Sequence, residues 1–225
     1  SLAKWVSGQT ELSIGACNGF QGGPVSLHIS LDSTASVSDL QFDLVFDPAV
    51  LTFHEASVGP QADAAGKSIV AVKVTPNRLR VTIGSSGNKT PMGNGVVAHF
   101  QFAGAAGAPL GSTVIRIEKA AGLPPQGAVY GYPPIADVLH NLEVTSAPVA
   151  RSLYPAPGPA GSLLVLKGSI GNGICPESIR VLFSGTGGYQ AFIPPLEIGE
   201  NWITVLVPSD AHGTLNVSLQ GIEPS

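Results

Sequence analysis

Apolar and polar residues alternate with period two along most of this chain. Val25, Leu27, Ile29 and Leu31 share one phase, and Ser26, His28 and Ser30 share the other. Strand side chains point to alternate faces, so this pattern predicts a half-buried strand. After a polar turn over 32–38, Leu40, Phe42, Leu44 and Phe46 face inward against Asp39, Gln41 and Asp43 outward. Asp47-Pro48 ends that strand, because proline lacks the N–H that a ladder needs. Val70, Val72 and Val74 alternate with Ala71 and Lys73, and Leu79, Val81 and Ile83 alternate with Arg78, Arg80 and Thr82. The Thr75-Pro76-Asn77 break between these two runs suits a hairpin turn. Further strands are expected over 96–102, 115–118 and 138–144, with one helical turn within 61–67. Short strands at this spacing, with no strong helical period, predict a β-sandwich.

The texture changes near Ala147-Pro148. The run Leu153-Tyr154-Pro155-Ala156-Pro157-Gly158-Pro159-Ala160-Gly161 is too rich in proline for a ladder and reads as a stiff connection into a second unit. Strands are expected there near 162–167, 178–183, 191–193, 202–207 and 214–219. The residues left are enough for a seven-strand immunoglobulin-like sandwich with a modest core. The expected division is 1–146, with its core over about 12–145, and 147–225.

Composition supports an all-β chain. Charged residues are 12% of the total, about half the usual share. Glycine (28) and proline (19) are abundant, which favours turns over charged helical faces. The net charge is -4, and no basic cluster exists to displace counterions from nucleic acid. No apolar stretch approaches the ~20 residues that cross a bilayer. No charged segment followed by an apolar one stands at Ser1, so the chain reads as a mature or excised fragment.

No catalytic constellation emerges. Gly84-Ser85-Ser86-Gly87 is one residue short of a nucleophile elbow and reads as a loop. His28, His54, His99, His140 and His212 lack metalloprotease spacing. Asp39 and Asp43 share a strand face, but four strand residues span roughly 13 Å, too far for a glycosidase pair. Phosphate loops, dinucleotide fingerprints and calcium loops are all missing, so neither a metal site nor a cofactor is expected. Cys17 and Cys175 lie far apart in the chain, without metal-ligand neighbours. Either they pair, stapling the start of the first unit to the second in an oxidising compartment, or they are two buried thiols. Trp5, Tyr130, Tyr132 and Trp202 are the rings available to stack on sugars, Trp202 because it alternates with Ile203, Val205 and Val207. Covering loop ends or the junction is the competing role for these rings.

Two resemblances follow. Val25 to Leu31, then Leu40 to Phe53 with its Phe46-Asp47-Pro48-Ala49-Val50-Leu51 turn, then Asn77 to Ile83 and Gly95 to Phe102 resemble a cohesin over about residues 12–145. A neighbouring family of carbohydrate-binding sandwiches shares part of these motifs. Ser152-Leu153-Tyr154-Pro155, Gly158 to Ser162, Val165 to Gly168, Ile179 to Gly185 and Ile203 to Pro208 resemble an IPT/TIG immunoglobulin-like domain. Ser169-Ile170 stands where that family has Gly-Phe.

The cohesin resemblance implies a docking receptor, one sheet face of which binds a calcium-loaded dockerin; the calcium belongs to the dockerin. Asp39, Gln41 and Asp43, with Arg78, Arg80 and Thr82 beside them, then form the docking face. The IPT/TIG resemblance implies a spacer or adhesive module of a bacterial surface protein. The expectation is a non-catalytic extracellular interaction or scaffold protein with a dockerin-like partner. Its alternatives are a polysaccharide-binding accessory module and a structural spacer.

Overall fold

The computed structural model describes residues 9–125, 134–154, 158–171 and 173–221. In chain order the strands of the first part are β1 (Thr10–Ala16), β2 (Gly19–Phe20), β3 (Pro24–Ser33), β4 (Asp39–Val45) and β5 (Leu51–Val58). The helical turn α1 (Pro60–Ala64) follows, then β6 (Ser68–Thr75), β7 (Arg78–Gly84), β8 (Gly95–Gly104), β9 (Gly111–Leu123) and β10 (Val138–Thr145). They form a four-stranded sheet, β1-β3-β8-β5, and a six-stranded sheet, β2-β10-β9-β4-β7-β6. Pairing is antiparallel except between β2 and β10.

The alternating residues explain why the two sheets stack. Leu27 and Ile29 of β3 and Phe100 and Phe102 of β8 are buried, as are Leu40, Phe42 and Leu44 of β4 and Leu79, Val81 and Ile83 of β7. Phe42 and Phe100 join the two layers edge to face, with ring centroids 6.3 Å apart, and Phe102 meets Phe46 at 5.0 Å and Phe53 at 5.6 Å. Such edge contacts add to area burial because the positive ring rim meets a negative ring face. Buried Lys67, just after α1, donates from Nζ to the Asn88 carbonyl at 2.7 Å and so ties the 85–90 loop to this layer.

The remaining strands are β11 (Val149–Tyr154), β12 (Leu163–Ser169), β13 (Ile179–Gly185), β14 (Gln190–Ile193), β15 (Glu197–Ile198), β16 (Trp202–Leu206) and β17 (Leu215–Gly221). They make a four-stranded sheet, β11-β12-β16-β15, and a three-stranded sheet, β14-β13-β17. Their own core contains Leu164, Leu166, Val181, Phe183, Ile203 and Val205. The whole is all-β, as the period-two pattern predicts.

Two local expectations need correction. Leu153 and Tyr154, read as part of a stiff connection, instead pair with Leu166 and Val165 in the β11–β12 ladder. Both residues keep the backbone N–H that a ladder needs, so the prolines that follow them in the sequence do not bar this pairing. On β6 the valine phase faces out: Val70, Val72 and Val74 are 57%, 55% and 49% exposed, while Ile69 and Ala71 pack on the core. Ile69 and Ala71 are apolar too, so period two alone does not choose between the faces; the register Ile69↔Ile83 and Ala71↔Val81 does.

Candidate functional site

The outer face of the six-stranded sheet carries the residues expected to dock a partner. Gln41 lies opposite Thr82, and Asp43 opposite Arg80, across the β4–β7 pair. On its other side β4 meets β9, where Asp43 lies opposite Glu118. A bulge sits in that ladder between Gln41 and Asp43, with Lys119 of β9 at φ 53°. The left-handed region is unusual for a side-chain-bearing residue, and here the Asp137 carboxylate accepts the Lys119 backbone N–H at 3.2 Å.

Four charges interlock at the centre of this face. Arg80 donates from Nε to Asp43 Oδ1 at 2.9 Å and from Nη2 to Oδ2 at 3.2 Å. Arg78 donates from Nη1 to Asp43 Oδ2 at 2.9 Å and from Nη2 to Glu118 Oε2 at 2.8 Å. Two guanidinium groups and two carboxylates balance, so the cluster carries no net charge. The planar fork of arginine matches a carboxylate, which makes the arrangement directional. The Asp43 side chain is 2% exposed, against 46% for Arg80. Hydrogen bonds from Arg80, working against burial and aided by Arg78, hold the Asp43 carboxyl below the usual carboxylate range.

Asp39 ends the same face. Burial raises its pKa, but hydrogen bonds from the Ser38 hydroxyl, the Ser85 N–H and Lys89 outweigh that and leave it lowered. The Ser38 contact is 2.9 Å and the Lys89 ion pair 3.4 Å. Of the six expected docking residues, Asp39 and Asp43 are therefore held by the chain's own groups. Gln41, Arg80 and Thr82 are exposed, and Arg78 is partly so. Val70 lies opposite Thr82 and Val72 opposite Arg80, which adds an apolar stripe to the charged one.

The sequence reading missed Glu118 and this valine stripe. Glu118 alternates with Ile115 and Ile117, which marks it as outward, but only the β4–β9 register brings it to Arg78. The valine stripe carried no signal that would separate its two apolar phases.

The aromatic candidates do not gather. Trp202 lies opposite Lys167 and is half-buried, with its ring laid on Gly199, where any side chain would collide with it. The Gly199 N–H donates to the Trp202 carbonyl at 2.8 Å, so the ring closes the β15–β16 turn. Trp5, Tyr130 and Tyr132 lie outside the described residues. Among the described residues, no three His, Cys, Asp or Glu side chains are placed to hold a metal ion. Among the described residues, no helix is long and apolar enough to cross a membrane. Cys17 and Cys175 form a disulfide, with their Cα atoms 5.3 Å apart.

His28 and His99 face each other across the β3–β8 ladder, and His140 on β10 is partly buried. Burial, and then the nearby His28, lower the His140 pKa. The unfolded chain binds a proton near pH 6.5, which folded His140 resists. Stability should therefore fall as the pH drops below about 6.5, and level off once folded His140 itself is protonated. Urea midpoints measured across this range should show a flatter acid slope for His140→Gln; an identical slope would remove His140 as its source.

The cohesin domain family model matches residues 10–130. No curated protein sequence matches the chain. Among solved structures, a cohesin–dockerin complex from Clostridium thermocellum contains a chain similar to this one at TM-score 0.52 and 15% identity. That likeness covers 60% of this chain and 99% of the other. A cohesin module of a family 33 glycoside hydrolase from Clostridium perfringens is similar at TM-score 0.51 and 9% identity, over 63% of this chain and 98% of its own. The third cohesin of a scaffold protein from Acetivibrio cellulolyticus, solved with a dockerin, is similar at TM-score 0.51 and 17% identity, over 61% and 100%. At these identities the structures speak for the fold. With the family model spanning more than half of its length, the chain belongs to the cohesin family.

Proposed function

We propose that this chain is an extracellular, non-catalytic docking module that binds a dockerin-like protein through the outer face of its six-stranded sheet. The observation that carries the reading is the pairing, on one face of a cohesin-family sandwich, of the Arg80 fork with the exposed Val70, Val72 and Val74. Apolar area supplies affinity, and a fixed guanidinium supplies orientation and partner choice. The internal neutrality of the Asp43–Arg78–Arg80–Glu118 cluster means that a partner meets a rigid surface rather than a loose charge. Two of the similar structures were solved as complexes with dockerins, which supports this class of partner.

We further propose the division into 1–146 and 147–225, with the second part an IPT/TIG-like immunoglobulin sandwich serving as spacer. Seven strands among the described residues, in sheets of four and three, support that reading. The polysaccharide alternative lacks comparable support, since Trp202 closes a turn and is only half-exposed.

Titration calorimetry of the full chain against a panel of calcium-loaded dockerins tests the proposal. At least one should bind, and Val72→Asp should weaken it about 10- to 100-fold, the loss of one buried valine contact. Val72 is exposed in the free chain, so the fold should survive. If no dockerin binds, the partner class is wrong. If one binds and Val72→Asp leaves its affinity unchanged, the face is wrong.

A further inference from the structure

The segment from Cys17 to Gly23 belongs to both parts of the molecule. On one side, β2 joins the edge of the six-stranded sheet through Val144↔Gly19 and Thr145↔Phe20. The Gln21 N–H donates to the Thr145 carbonyl at 3.0 Å, and the Gly22 N–H to the Gly104 carbonyl at 3.1 Å. On the other side, Asn18 forms a parallel bridge with Ile174, and its N–H donates to the Gly173 carbonyl at 2.9 Å. The disulfide to Cys175, itself 3% exposed, lies beside that bridge.

Phe20 is the decisive side chain. It is 3% exposed, and it packs in the second core with Leu164, Ile170, Ile174 and Ile179, not in the first. Its ring lies over two glycines, Gly23 three residues further along the chain and Gly221 at the end of β17. A Cβ at Gly221 would stand 3.0 Å from the ring, so both positions leave room for it. The second sandwich is thus closed by a phenylalanine carried on a strand of the first sheet pair.

We infer that the second sandwich is completed by the first, and that Phe20 and the Cys17–Cys175 disulfide clamp the two into one rigid body. The outer face of the six-stranded sheet then points in a fixed direction relative to the second sandwich. A short linker alone would leave two modules free to move, as is usual where an interface is small. Here a single β-bridge, a core side chain and a covalent bond cross the junction together. The inference rests on the 146/147 division and is independent of what the docking face binds.

Amide relaxation of the full, oxidised chain should give one rotational correlation time for the strands of both sandwiches. Two distinct, shorter times would overturn the inference. Hydrogen exchange gives the second measurement. Phe20→Ala should speed amide exchange in β12, β13 and β16 at least tenfold and leave β3, β4 and β8 unchanged. Phe20→Leu, which keeps most of the volume, should give a smaller rise in the same strands. Reductant added to the wild-type chain should act on those strands too. Exchange that stays unchanged in β12, β13 and β16 in all three cases would show that the second sandwich closes by itself.

Discussion

Replacing Cys17 and Cys175 together with alanine is expected to lower stability by about 4 kcal/mol. The bond joins residues 158 positions apart, so it removes a large loop from the unfolded ensemble. The loop-entropy relation gives about 5 kcal/mol for a loop of this length, and measured values commonly fall short of it. The loss should appear in the transition that exposes the second core, because buried Cys175 directly follows Ile174 of that core in the chain. Urea denaturation followed by tryptophan fluorescence reads it, since Trp202 lies on β16 of the same sandwich. The midpoint should shift down by more than about 1 M. A midpoint equal to that of the wild type would mean that the crosslink adds nothing to contacts already made by β2.

Phe100→Ala is expected to cost about 3–5 kcal/mol. Phe100 has no solvent exposure and sits on β8, between β3 and β5 in the four-stranded sheet. Its ring crosses to Phe42 of the six-stranded sheet, so truncation opens a cavity at the contact between layers. Transfer of the ring and the unfilled cavity both contribute, because close-packed neighbours relax only in part. For a chain of this size the melting temperature should fall by roughly 10 °C or more. Phe100→Leu should cost clearly less, as most of the volume is retained. Equal melting temperatures for Phe100→Ala and wild type would place the ring outside the core.

Much of the fold was legible because a strand's two faces meet different solvents. Val25 to Leu31 and Leu40 to Phe46 put every second side chain into the core, and the burial follows that phase. The candidate face was legible in part for the same reason: Gln41, Arg80 and Thr82 are outward by alternation, and they are exposed. Alternation did not reveal that Asp43 is covered by Arg78 and Arg80, since both arginines come from another strand. It also failed on β6, where both phases are apolar and only pairing with β7 decides which valines face water.

The chain by itself thus determined its all-β class, the inward phase of its amphipathic strands and the outward placement of most of the candidate face. These follow from local side-chain order, which no long-range contact is needed to read. The tertiary structure alone decided the Asp43–Arg78–Arg80–Glu118 cluster, the exposed valine stripe, the Cys17–Cys175 bond and the passage of Phe20 into the second core. Each depends on strand order and register between segments distant in sequence. Spacing along the chain leaves the pairing of two cysteines open, whereas a Cα separation of 5.3 Å brings them within bonding reach.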